Sequence, residues 1–111
     1  MAVSSEFLEL LKERMEPLGI IRSKRMFGGV GFYCDDLFFA IAIDDALYLK
    51  VDDENRARFE AEDLKAFHYP KKDGTFATMS YYQAPESVLD DADDMDEWGR
   101  LALDAALRAR A

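Results

Sequence analysis

The chain has 111 residues, 50% of them hydrophobic and 13% aromatic, which is enough for a single domain with a proper core and excludes a disordered segment. Fourteen Lys and Arg stand against 23 Asp and Glu, a net charge of −9. Direct DNA binding is therefore not expected unless the bases converge on one face, because nucleic-acid affinity comes largely from neutralised phosphates.

Cys34 is the only cysteine, which excludes an internal disulfide and a cysteine metal cluster. No apolar run is long enough to cross a bilayer, and no basic stretch followed by a hydrophobic one opens the chain. The expectation is a cytoplasmic protein without membrane contact.

In chain order, Ser4 or Ser5 is positioned to cap a first helix, with Glu6 in the turn where the helix dipole favours an acid. Phe7, Leu8, Leu11, Met15 and Leu18 follow at helical spacing, and Pro17 with Gly19 ends the run. From Ile21 the period changes to that of a strand, which carries Arg22, Lys24 and Arg25, the densest basic group in the chain. Met26-Phe27-Gly28-Gly29-Val30-Gly31 comes next, with three of the six glycines inside four positions. Glycine loses more backbone entropy on folding than any other residue, so such a group needs a geometric reason. Gly28-Gly29 reads as a tight turn or bulge joining two strands, and Gly31 as a point of close backbone approach.

Val30 to Cys34 is a second strand, and Asp35-Asp36 a turn. Leu37 to Ile43 is apolar throughout, so both faces of that strand should be covered. Asp44-Asp45 turns the chain again, and Leu47, Leu49 and Val51 alternate with Tyr48 and Lys50 as in a half-exposed strand. The short turns make a four-stranded antiparallel meander. Asp52 or Asp53 caps a second, charge-rich helix reaching about Leu64. Phe67 to Tyr69 and Phe76 to Tyr82 form a further strand pair around Pro70–Gly74, and a last helix presents Met95, Trp98, Leu101, Ala102 and Ala105 as its buried stripe. The order α-β-β-β-β-α-β-β-α gives an α+β two-layer domain over residues 1–111, an antiparallel sheet with helices on one face.

No chemical constellation emerges. The Gly-Gly-x-Gly stretch leads into a strand, and no Gly-Lys occurs, so neither the dinucleotide fingerprint nor the P-loop is present. Six acids in the eight positions from Asp90 to Glu97 fit no EF-hand register, and they stand where a helix N-terminus favours acids. His68 is the lone histidine. Cys34 with His68 is the one pair left for an enzyme, and no nucleophile-elbow motif surrounds Ser23, Ser80 or Ser87. The reading is of a non-enzymatic protein with no catalytic residues, no cofactor and no metal.

Arg25 to Tyr33, with its glycine group, resembles the signature of the TfoX N-terminal-domain family of bacterial competence regulators. Phe38-Phe39-Ala40, Leu47 to Val51, Met79-Ser80-Tyr81-Tyr82 and Ala84-Pro85-Glu86 match as well, as does Trp98 followed by an Ala-rich helix. The resemblance runs over about residues 5 to 108. It implies a fold similar to type III secretion chaperones, and a transcriptional coactivator that works with the cyclic-AMP receptor protein at competence promoters. The best-known members carry a C-terminal helical domain, and no such domain is expected within these residues. The family offers no catalytic residue to carry over.

Two readings follow. In the first, the chain is a regulatory domain whose partner is the cyclic-AMP receptor protein or RNA polymerase, contacted through Arg22, Lys24 and Arg25. In the second, it is a homodimeric protein-binding or small-molecule-binding module. That reading rests on the apolar Leu37–Ile43 strand and on aromatics of the open sheet face, Tyr33, Tyr48, Tyr81 and Tyr82.

Overall fold

In the computed structural model, which describes residues 3–26, 28–70 and 76–110, the first helix α1 spans Ser5–Met15. Ser4 caps it: its hydroxyl accepts a hydrogen bond from the Phe7 amide at 3.2 Å, which satisfies a donor that has no partner within the helix. Leu11 and Met15 are buried from the apolar stripe. The α-helix stops at Met15, two residues before Pro17, and a 3₁₀ turn over Glu16–Leu18 leads to Gly19.

Six strands follow: β1 (Ile21–Met26), β2 (Gly29–Cys34), β3 (Leu37–Ile43), β4 (Ala46–Lys50), β5 (Ala66–Pro70) and β6 (Phe76–Gln83). They form one antiparallel sheet in the order β1-β2-β3-β4-β6-β5. The first four are the expected meander. Two of its turns are aspartate pairs in the left-handed region, Asp35 and Asp36 at φ 48° and 69°, Asp44 and Asp45 at 54° and 55°. Two successive positive φ values match the right-handed twist of the strands they join, and a short polar side chain lowers the cost of that conformation.

β3 shows why an unbroken apolar run was needed. Phe32 pairs with Ala40 but Tyr33 pairs with Phe38, so Phe39 is an extra residue, a bulge. A bulge reverses the in-and-out alternation of a strand. Beyond it Ala40 and Ala42 share a buried cluster with Phe32, Leu47 and Leu49, while Ile41 lies in a second cluster with Phe67 and Tyr81, flanked by Phe38, Ile43 and Tyr48. Both faces of β3 are thus covered, and Phe39, Ala40, Ile41 and Ala42 are all fully buried.

Helices α2 (Arg56–Ala61), α3 (Ser87–Asp90) and α4 (Ala92–Arg110) join α1 on the side of the first cluster. α4 lies over β3 and β4, with small residues on both sides of the contact: Ala102 and Ala106 from the helix, Ala40 and Ala42 from the sheet. Asp91 caps α4 by accepting from the Asp93 amide at 2.8 Å. Trp98 meets Phe59 of α2 edge-on, ring centroids 5.0 Å apart, and Phe59 meets Tyr82 of β6 at 6.0 Å.

The second helix departs from expectation. It starts at Arg56 and ends at Ala61, short of Leu64, because Asp63 turns left-handed at φ 58° and the Leu64 amide folds back to the Phe59 carbonyl. Asp52 closes the turn before the helix, accepting from the amides of Glu54 and Asn55 at 3.0 and 3.1 Å. Asn55 is 3% exposed. Its amide donates to the carbonyls of Lys50 and Leu101 at 3.2 and 3.0 Å, and its oxygen accepts from the Asp52 amide at 2.8 Å. One side chain thereby ties the end of β4 to α4.

Candidate interaction surface

The glycine group that organises the sequence sets the β1–β2 hairpin. Met26 pairs with Gly29, and Gly28 lies in the turn between them; Phe27 falls outside the described residues. Gly28 sits at φ 76° with open space where a Cβ would stand, a conformation that glycine adopts without strain. A close approach is seen at Gly29: a Cβ there would lie 2.3 Å from the Ala42 carbonyl oxygen and 2.4 Å from Ile43 Cγ1. Gly31 is buried in β2 between Lys24 and Ile41. These residues hold β1, β2 and β3 in register.

The hairpin presents β1 as the outermost strand. Arg22 pairs with Tyr33 and Lys24 with Gly31, whereas Arg25 pairs with Val30. Strand alternation puts Arg22 and Lys24 on the sheet face away from the helices and Arg25 on the helix side; all three are exposed. The bases therefore flank the edge on both sides. A groove of about 670 Å³ runs beside it, lined by Ile21, Arg22, Ser23, Lys24 and Tyr33 together with Lys12 from α1. The Arg22 guanidinium stands 5.8 Å from the Tyr33 ring centre and pairs with Asp36 of the following turn. Ile20, just before β1, is 73% exposed.

Sequence reasoning missed Lys12, Ile20 and Asp36. Nothing local marks Lys12, since the rotation of α1 against the sheet edge is set by the whole core. Ile20 carries a faint signal, an apolar residue trapped between a helix-ending glycine and the strand.

Two of the sequence-derived aromatics need correction. Tyr81 is 4% exposed, packed 5.8 Å from Phe38 with the Lys50 ammonium 5.4 Å from its ring centre. Burial, then the neighbouring Tyr33, pushes its hydroxyl pKa well up. Tyr82 lies on the helix side, half-buried, and its hydroxyl donates to Glu60 at 3.1 Å. Neither is a free aromatic of the open face. Tyr33 and Tyr48 do lie on that face, half-buried, at 5.0 Å from Phe38 and 4.8 Å from Phe67 respectively.

The Cys34–His68 pair does not come together. Cys34 is on β2 and His68 on the outer strand β5, with β3, β4 and β6 between them, roughly 19 Å at ~4.8 Å per strand. The Cys34 thiol is buried, which raises its pKa, as does the Asp35 carboxylate, so it is held away from the reactive thiolate. A cleft of about 500 Å³ near the end of α4 is lined by Lys50, Asp52, Glu54, Arg56 and Arg108. Arg108 grips Asp52 with two nitrogens at 2.6 and 2.9 Å and reaches Glu54 at 2.8 Å. That grip holds the Asp52 pKa down at about 2. These charges answer one another and close the loop onto α4. Among the described residues no helix is long and apolar enough to cross a membrane.

Comparison with known proteins agrees over most of the chain. A family model described as the TfoX N-terminal domain matches residues 13–106. A protein of Aliivibrio fischeri named DNA transformation protein TfoX1 is 36% identical over 72 residues, which cover 65% of this chain and 34% of that protein. Protein Sxy of Escherichia coli is 28% identical over 100 residues, covering 90% of this chain and 47% of Sxy. The chain thus spans less than half the length of either relative.

Proposed function

The chain belongs to the TfoX N-terminal-domain family, and from that premise we propose that it is a non-enzymatic regulatory domain in the control of DNA uptake, acting through contact with a protein of the transcription machinery. The observation that carries this reading is the family match over residues 13–106 together with a relative named for DNA transformation. The proposed partners are the cyclic-AMP receptor protein and RNA polymerase. Net charge supports a protein contact over a direct one with DNA: the chain carries −9, and general affinity for a phosphate backbone needs the opposite sign.

The structure gives no comparable support to a self-associating module. The apolar groups of β3 that such a module would use are covered within the chain, with Ile41 at 0% exposure beneath Phe38, Tyr48, Phe67 and Tyr81.

The test is a reporter fused to a promoter of DNA-uptake genes, read with the gene for this chain present, deleted and restored, alongside capture of the tagged protein. Loss of reporter output on deletion, its return on restoration, and enrichment of the cyclic-AMP receptor protein or polymerase subunits are expected. Unchanged output in the deletion strain, with neither protein enriched, would overturn the proposal.

A further inference from the structure

We propose that the outer edge of β1 is a strand-addition site that takes an extended, acidic segment of a partner protein. The inference rests on the regulatory reading for the kind of partner and deepens it by naming the surface and the mode of contact.

Hydrogen-bond parity supplies the first argument. The Asp35 amide donates to the Ile20 carbonyl at 2.9 Å, and Ile21 through Met26 pair onward in unbroken register with Cys34 through Gly29. Hydrogen-bonded and non-bonded pairs alternate along an antiparallel ladder. Arg22 and Lys24 therefore exchange backbone bonds with Tyr33 and Gly31, while the amides and carbonyls of Ile21, Ser23 and Arg25 turn outward. Among the described residues no strand answers them. Three outward N–H and C=O sets at every second residue are what an added strand pairs with.

Charge selects the occupant. Lys12, Arg22 and Lys24 line the groove beside the edge, and Arg25 flanks its other side, so an acidic side chain on either face of an added strand meets a base. A second copy is disfavoured: antiparallel pairing of β1 with its own copy sets Arg22 and Lys24 of one chain against those of the other, and like charges across a ladder repel. Lys and Arg on an edge commonly guard against pairing. On a chain of net charge −9 a basic guard repels its own copies at the edge and leaves acidic strands attracted. Exposed Ile20 at the start of the edge offers contact to an apolar residue at that end of the added segment.

The probe is a fluorescein-labelled heptapeptide of alternating Glu and Val, titrated against the full chain at low and high salt by fluorescence anisotropy. Its counterpart carries N-methyl groups on alternate amides, which preserve charge and block pairing. The proposal expects salt-sensitive binding of the parent peptide and added exchange protection at the amides of Ile21, Ser23 and Arg25. Losing one or two of the new hydrogen bonds weakens binding about tenfold, and that loss is expected on N-methylation and in Ser23→Pro. Ser23→Pro removes an outward N–H and leaves the β2 ladder intact. Lys24→Glu should also weaken the peptide and should not unfold the chain.

Equal binding of the N-methylated peptide, binding of neither, or preference for a single-stranded DNA oligonucleotide of equal charge would overturn the proposal. If Ser23→Pro does not fold, the comparison of the two peptides on the parent protein decides. A reporter that responds to the gene while neither peptide binds removes strand addition and leaves the regulatory reading in place. Peptide binding with a silent reporter supports strand addition and removes the regulatory reading.

Discussion

Strands β1 and β3 stand two positions apart in one sheet and could hardly differ more. β3 carries no charge in seven residues, and its centre is fully buried. β1 carries three bases in six residues, and its outer backbone groups have no partner among the described residues. The difference follows from place in the sheet. A central strand with helices on one face and aromatics on the other has nowhere to put a charge, whereas an edge strand must be kept from unwanted pairing. β3 accordingly carries the stability of the domain, and β1 is where the chain has room to meet something else.

The comparison breaks first, and most visibly, at β3. Phe39→Ala removes a fully buried ring at the bulge and should cost about 3–5 kcal/mol, read as a lower urea midpoint with an unchanged slope. A loss under about 1 kcal/mol, the size of an ordinary substitution, would mean that the bulge is loosely packed.

The β1–β2 hairpin sharpens the contrast, because its adjacent glycines are needed for different reasons. Gly29→Ala drives a methyl into the Ala42 carbonyl and Ile43 and should cost about 2 kcal/mol through overpacking. Gly28→Ala meets nothing and should cost about 1 kcal/mol, the penalty for a left-handed backbone. Asn, which tolerates that backbone, should recover part of the loss at position 28 and none at 29. Equal costs at the two positions would contradict the assignment.

A smaller effect belongs to the clasp between Asp52 and Arg108, away from both strands. The Asp52 carboxyl falls from its ordinary 3.8 to about 2 in the folded chain because Arg108 donates to it. The folded pKa lies below the unfolded one, so this contribution to stability is complete above about pH 4 and is lost as pH falls towards 2. Against the parent, Asp52→Asn should be less stable near neutrality, and the gap should narrow between pH 4 and 2. A gap that stays constant across that window would contradict the ion pair.

Much of this was legible in the sequence. Strand period, aspartate turns, the Ser4 cap and the Met95–Trp98–Ala102 stripe are local, and the structure has each of them. The bulge was not, since Phe39 has no glycine or other local mark, and only pairing with β2 creates it. Tyr82 was misread for the same reason: its face is fixed by the register of β6 on β4, which sets it opposite Leu49, more than thirty residues away in sequence, whereas Tyr81 keeps the expected face and is buried there against Phe38. The basic edge was half legible. Arg22, Lys24 and Arg25 stood out, but Lys12 joined them only through the docking of α1.

The most direct test of the division between a closed centre and an open edge is amide hydrogen exchange of the free protein, followed residue by residue by NMR. Slow exchange is expected through Phe39–Ala42, with an alternation along β1: the Arg22 and Lys24 amides protected and those of Ile21, Ser23 and Arg25 fast. Uniform protection of the amides from Ile21 to Arg25 would show the edge already paired in the free protein and would overturn the division.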